Sequence, residues 1–230
     1  MTFYAPFCIP FILGASVMFL TLAWKWGKWL WLLPRADKKR ILFGLPTRRT
    51  LAAAWEVVSE SLLHRRIFRV NPLLGYMHMS LAFGWFLLIA VGWIETIAYL
   101  GFRYVPLQGH VFFKYFGTGL EHKPAFDFVM DLLLLFVLSG VALAWGKRFY
   151  SRAMGLRRTT KHVLGDRVAL SALWFIFPAR LVAESATCAL YGGGGFLTGG
   201  LGAWMAAHIG MMPLMNLETA AWWFYSSCLG

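Results

Sequence analysis

The sequence predicts an all-α integral membrane protein: a helix bundle with four full transmembrane helices, the start of a fifth, and the N-terminus outside. Three observations carry that reading. Apolar residues make up 59% of the 230-residue chain and charged residues only 14%, against about 25% charged in a soluble domain. The apolar residues fall in runs long enough to cross a bilayer, which takes about 20 residues. The Lys and Arg residues crowd into alternate connections between those runs, as cytoplasmic loops do. The chain leaves no stretch for a separate soluble domain and reads as one transmembrane domain, residues 1–230. The net charge of +12 is spread between apolar runs rather than over one face of a soluble fold, so nucleic acid is excluded as a partner and membrane lipid takes its place.

The first span covers residues 4–24 and ends at Lys25 and Lys28. Its opening, MTFYAPFCIPFILGASVMFL, lacks the basic start and small-residue cleavage site of a signal peptide, so it is read as a retained span. A basic segment, residues 34–70, holds Arg35, Lys38, Lys39, Arg40, Arg48, Arg49, Arg65, Arg66 and Arg69. Span two is 74–100. The loop after it, 101–125, carries only Arg103, Lys114 and Lys123. Span three is 126–146, followed by a second basic loop with Lys147, Arg148, Arg152, Arg157, Arg158, Lys161 and Arg167. Span four is 168–190. Residues 191–217 have no Lys or Arg, begin with YGGGG, and read as an outer loop with an interfacial piece. LETAAWWFYSSCLG then opens a fifth apolar run, 218–230, too short to cross about 30 Å of hydrocarbon. The expectation is a chain truncated within span five. Positive-inside logic puts both basic loops in the cytoplasm and the protein in the cell membrane, with spans one and three running inward.

Ionisable groups inside a span are costly and are usually paired or functional. Glu95 on span two, Asp131 on span three, and Arg180 and Glu184 on span four all fall in the outer half. Arg180 and Glu184 are four residues apart and share a helix face. Two readings stand. One is a buried ion-pair network joining the helices. The other starts from one arginine facing three carboxylates: the surplus carboxylates suit proton uptake, and a quinol must lose two protons when it is oxidised. Asp127, at the outer border, is expected to be solvated.

His78 lies near the cytoplasmic end of span two, in GYMHMSLAFGWFLLIAVGW. It is either a hydrogen-bonded interfacial histidine or an axial ligand, since neutral imidazole binds haem iron and bundle cores hold cofactors between helices. Gly75 and Gly84 nearby would let a flat macrocycle or a neighbouring helix approach. His64 and His162, in the basic segments, read as solvated. His110, His122 and His208 fall on the outer side and read as interfacial, with His208 in AWMAAHIGMM the outer-side candidate for a cofactor ligand. Cys8, Cys188 and Cys228 form no CxxC; a Cys8–Cys188 disulfide is one option and unpaired apolar cysteines the other.

The segments RRIFRVNPLLGYMHMSLAFGWFLL, MDLLLLFVLSGVALAWGKRF and LWFIFPARLVAES resemble the membrane part of heterodisulfide-reductase-related Fe–S oxidoreductases, within the wider nitrate reductase gamma-subunit-like group of b-type cytochromes. The resemblance implies five spans, two b haems held by histidines of spans two and five, and quinol oxidised near the outer face. It implies electrons passing inward to cytoplasmic Fe–S centres in a domain after span five or in a partner. His78 would match the span-two ligand of the inner haem. Where the nitrate reductase branch has a second histidine on this helix, this chain shows Trp93, and no CxxCxxCxxxCP motif is present. The sequence therefore predicts a membrane electron-transfer subunit of a quinone-linked oxidoreductase. Its expected cofactor is haem b, one or two, on His78. Its expected catalytic residues are Glu95, Asp131, Arg180 and Glu184, and its expected partners are the quinone pool and a cytoplasmic Fe–S module. The rival readings are a haem-free membrane anchor and a small transporter or scaffold. A transporter usually shows broken helices and repeated halves, and neither is visible here.

Overall fold

The structure is a computed structural model and describes residues 2–43, 47–121, 123–155 and 164–230. His122, His162, Arg157, Arg158 and Lys161 lie outside the described residues. Among the described residues the chain is all helix, without strands. Four helices are long and apolar enough to cross a membrane: α1 (Cys8–Leu32), α5 (Pro72–Leu100), α8 (Pro124–Ala153) and, within α9 (Leu164–Tyr191), residues Arg167–Tyr191. The protein is thus a multi-pass membrane protein. Helix is the form that hydrocarbon demands, because it satisfies each backbone N–H and C=O within its own segment.

The ends of these helices follow from local sequence. Asn71 Oδ1 accepts a hydrogen bond from the Leu74 N–H at 3.0 Å, and Pro72 occupies the first turn of α5, where a missing N–H costs nothing. Gly101, at φ 71°, ends α5 in a region that side chains avoid. Pro124 opens α8 in the same way as Pro72 opens α5.

The basic segment is not a loop. It folds into α2 (Arg35–Phe43), α3 (Arg48–Glu56), a π-helical turn (Val57–Leu62) and α4 (Arg65–Val70). Two short helices, α6 (Leu107–Val111) and α7 (Phe113–Phe116), fill the connection from α5 to α8. After α9 the GGGG run, 192–195, stays irregular and α10 (Thr198–His208) follows it, and α11 (Met211–Leu229) begins well before the fifth run expected at 218.

Packing is by small residues against large ones. A Cβ on Gly84 would meet Val137 of α8 at 2.5 Å and Phe136 at 3.1 Å, so the α5–α8 pair closes through that gap. Tyr76 and Ser139 bond across the same pair at 2.7 Å. On the other side, a Cβ on Gly202 would sit 2.8 Å from the Ser185 carbonyl oxygen, which lets α10 lie against α9. The start of α1 is anchored by an aromatic core. Phe7 packs on Phe112, Tyr115 and Trp222, with centroids 5.3, 4.7 and 5.6 Å away. Beyond that anchor α1 exposes Leu13, Val17, Phe19, Leu20, Trp24 and Trp31, an apolar surface suited to lipid. Cys8 and Cys188 are buried and free.

Candidate functional site

At the end of the bundle that holds Tyr99 and Pro124, the four in-span groups of the sequence reading line one cavity. Glu95, Asp131, Arg180 and Glu184 face it together, with His110, Lys114, Asp127 and Thr198 completing its polar wall. The helices place them there by depth: α5 and α8 run antiparallel, and α9 sets Arg180 and Glu184 at the level of Glu95. The cavity has room for little more than water.

The four groups are not equivalent. Arg180 Nε donates to Glu184 Oε1 at 2.9 Å along one helix face, with both side chains about one-tenth exposed. Asp131 is fully engaged in holding α10. Its Oδ2 accepts from the backbone N–H of Leu197 at 2.7 Å and of Thr198 at 3.0 Å, and its Oδ1 accepts from Thr198 Oγ1 at 2.8 Å. It caps the next helix from another element, which leaves it little capacity for substrate. Glu95 differs from both. It is 6% exposed and makes no hydrogen bond or ion pair among the described residues; Lys114 and Arg180 act on it only through their charge.

Two residues of this cluster escaped the sequence reading. Asp127 was expected to be solvated. It is instead buried, at 5% exposure, and paired with Lys114 of α7. Among the described residues Lys114 is the second cation of the site, so four carboxyl groups there face two cations rather than three facing one. Burial alone would lower the Lys114 pKa, but the hydrogen bond from its ammonium to Asp127 and that carboxylate's charge outweigh the burial and hold it above the ordinary lysine value. Nothing in a loop lysine's sequence signals this; only the fold brings it to the cavity.

A second water-sized cavity adjoins the first and shares Glu95, Phe113 and Lys114 with it. It is lined also by Tyr99, Thr118, Tyr191 and Gly192, residues at the ends of α5 and α9 and in the connections beyond them. Glu95 and Lys114 therefore stand between an inner cavity and one that reaches the loops. A separate polar chain lies nearby on α11: Trp222 Nε1 donates to Thr187 Oγ1 at 2.9 Å, and Thr187 donates to Glu218 Oε1 at 2.7 Å.

His78 lies toward the other end of α5, half-buried. Its ring faces that of His64, with centroids 5.5 Å apart and planes 14° apart. His64, only half-buried, is thus also a neighbour of His78, and its left-handed backbone, φ 50°, turns the chain so that α4 folds back onto α5. The stacked rings do not aim their in-plane nitrogens at one point between them, and the slot expected for a macrocycle is filled by protein. Phe68 of α4 occupies the notch at Gly75, and Val137 and Phe136 of α8 occupy that at Gly84. The residues here do not fit a haem inserted at those glycines. Among the described residues no group of three or more His, Cys, Asp or Glu gathers as a metal site. His208 stands apart from the cavity. It is exposed, its Nδ1 donates to the Trp204 carbonyl of its own helix at 2.8 Å, and its ring packs on Trp204.

No protein-family model, no curated protein and no solved structure matches the chain.

Proposed function

We propose that the chain is the membrane subunit of a quinone-linked electron-transfer system, lying in the cell membrane with its basic end in the cytoplasm. It handles quinol at the opposite end and serves a cytoplasmic Fe–S module. The observation that carries this reading is Glu95: a buried carboxyl group without a hydrogen-bond partner among the described residues, standing between two water-sized cavities. Oxidising a quinol to a quinone releases two electrons and two protons. The electrons go to a one-electron acceptor of the Fe–S partner, and the protons need a base within reach of water. Glu95 takes a proton from the quinol side and passes it through the second cavity, past Tyr99 and Thr118, to the loops. Lys114 and Arg180 offset part of the cluster's negative charge, and the Arg180–Glu184 pair fixes the wall.

The test is quinol oxidation by the full complex in native membranes. Glu95→Gln keeps the shape and removes the base, and a lost general base costs about 10²–10⁴ in kcat. KM should hardly move. Unchanged turnover in Glu95→Gln would sink the reading.

A haem-free anchor that binds quinone or lipid beside a catalytic partner is the second reading. The filled notches at Gly75 and Gly84 favour it. A b haem on His78 is what the sequence resemblance implies, and no step above is routed through it. A reduced-minus-oxidised spectrum of the membrane-extracted protein separates the two readings: a b-type band lost in His78→Ala supports the haem, and a flat spectrum supports the anchor.

A further inference from the structure

At the basic end of the molecule, α3 packs chiefly on the π-helical turn that continues it, and its apolar side chains lie open. Leu51 and Trp55 are 73% and 64% exposed, and Val58 is exposed beside them. The spacing i, i+4, i+7 puts the three on one helix face. Arg48 flanks that face, and Arg49 stands across the helix from it. Spans tether the segment on both sides: α1 ends at Leu32 and α5 begins at Pro72, which keeps α3 near the level where hydrocarbon meets water. The acids of this stretch are already matched. Arg66 pairs with Glu56 at 3.9 Å and with Glu60 at 3.5 Å, and its backbone N–H donates to Glu60 Oε2 at 3.3 Å. That leaves Arg48, Arg49, Arg65 and Arg69, all exposed, without an ion-pair partner among the described residues. Residues 34–70 and 147–167 hold sixteen of the chain's 22 Lys and Arg but only four of its ten Asp and Glu, so this end lacks anions of its own.

We infer that α3 lies flat in the membrane interface, with Leu51, Trp55 and Val58 in the acyl layer and Arg48, Arg49, Arg65 and Arg69 on the phosphates of anionic phospholipids. A helix with an apolar, tryptophan-bearing face and arginines beside it partitions in this way, its apolar side sunk to the boundary of headgroups and chains. Basic residues next to a span draw anionic headgroups to them. The open stripe is too small for a protein partner: it offers three apolar side chains, where a stable interface takes about 20–30 residues a side. The charge left unmatched around it is the complement of a phosphate layer. This assignment stands apart from the quinol reading and holds whether or not that reading does.

The experiment uses the full chain in nanodiscs of equal parts phosphatidylcholine and phosphatidylglycerol, in a background lacking Cys228. A nitroxide on Leu51→Cys should collide with oxygen, which dissolves in the bilayer, more often than with a water-soluble nickel chelate. On Ala53→Cys, an exposed position across the helix, the order should reverse. A Leu51→Cys nitroxide that meets nickel more often would put α3 off the membrane and overturn the proposal. One shielded from both would put a second copy of the chain on that face, and would overturn it as well. Spin-labelled lipids test the arginines. The wild type should retain phosphatidylglycerol in preference to phosphatidylcholine, and Arg48→Gln/Arg49→Gln/Arg65→Gln/Arg69→Gln should cut that preference by about fivefold or more, the loss of at least one cation's attraction at an anionic surface. Circular dichroism confirms that each variant folds. Equal retention of the two lipids by the wild type, or an unchanged preference in the variant, would overturn the assignment of anionic lipid to these arginines.

Discussion

Lys114 and Asp127 show how much one buried pair matters at the scale of the residue. Asp127 is 5% exposed and Lys114 21% at the side chain. Removing one partner of a buried ion pair takes away an attraction for which both groups were desolvated, at a cost of about 3–5 kcal/mol. Lys114→Met should therefore destabilise the protein by about 3 kcal/mol, read as a fall in the unfolding temperature in detergent. The double variant Lys114→Met/Asp127→Asn should recover much of that loss. The pH dependence follows from the direction of the Lys114 shift. Its folded pKa is raised above the ordinary 10.5, so the pair's contribution is complete below that value and is lost as pH rises through the folded one. Thermal stability should hold to about pH 10 and drop above it, and Lys114→Met should lack that alkaline drop. Neither residue's role was legible in the sequence. Glu95, Asp131, Arg180 and Glu184 announce themselves because a charge inside an apolar run is anomalous and its depth can be counted along the helix. A lysine and an aspartate in or beside a loop carry no such signal until tertiary packing buries them.

At the scale of the element, the same limit explains α10. TGGLGAWMAAH contains three glycines, each costing a helix about 1 kcal/mol relative to alanine, so local propensity argues against the helix that forms. Two tertiary features override it. Asp131 supplies the N-terminal acceptors from α8, and Gly202 allows close approach to α9. Asp131→Ala should cost about 1–2 kcal/mol, in the range of lost caps. It should speed amide hydrogen exchange at residues 197–200 and leave exchange in α5 unchanged; uniform acceleration would show that Asp131 does more than cap. The glycines of α5 offer a matched pair. A Cβ at Gly84 meets Val137 at 2.5 Å, whereas one at Gly92 meets only Met130, at 3.7 Å. Gly84→Ala should therefore destabilise by about 1–3 kcal/mol through overpacking, while Gly92→Ala should be neutral or slightly stabilising through helix propensity. Two equal effects would mean that the α5–α8 approach is not set at Gly84. The sequence marked Gly84 as a place for close approach, and the approach is made by a helix.

The whole molecule is polar along the membrane normal. One end carries Arg35 through Arg69 and the basic last turns of α8, with Lys147, Arg148 and Arg152; the other carries the buried charge cluster and the loops beyond it. The spans were legible in the sequence because hydropathy and length are one-dimensional. Which groups meet between the spans was only partly so, because depth can be read from sequence and helix rotation cannot. Orientation gives the proposed proton path its direction. If the basic end faces the cytoplasm, as Lys and Arg bias requires, the second cavity opens to the outside, and quinol oxidation at Glu95 releases protons there while electrons go inward. Tyr104 is 91% exposed in the connection after α5, and Arg152 lies in the exposed last turn of α8 at the opposite end. In a background lacking Cys228, the half-buried cysteine, Tyr104→Cys in intact cells should react with a membrane-impermeant maleimide, and Arg152→Cys should react only after the membrane is opened. The reverse pattern would turn the proton path toward the cytoplasm. Proton release would then no longer be separated across the membrane from electron delivery, and the proposed reaction could not build a potential.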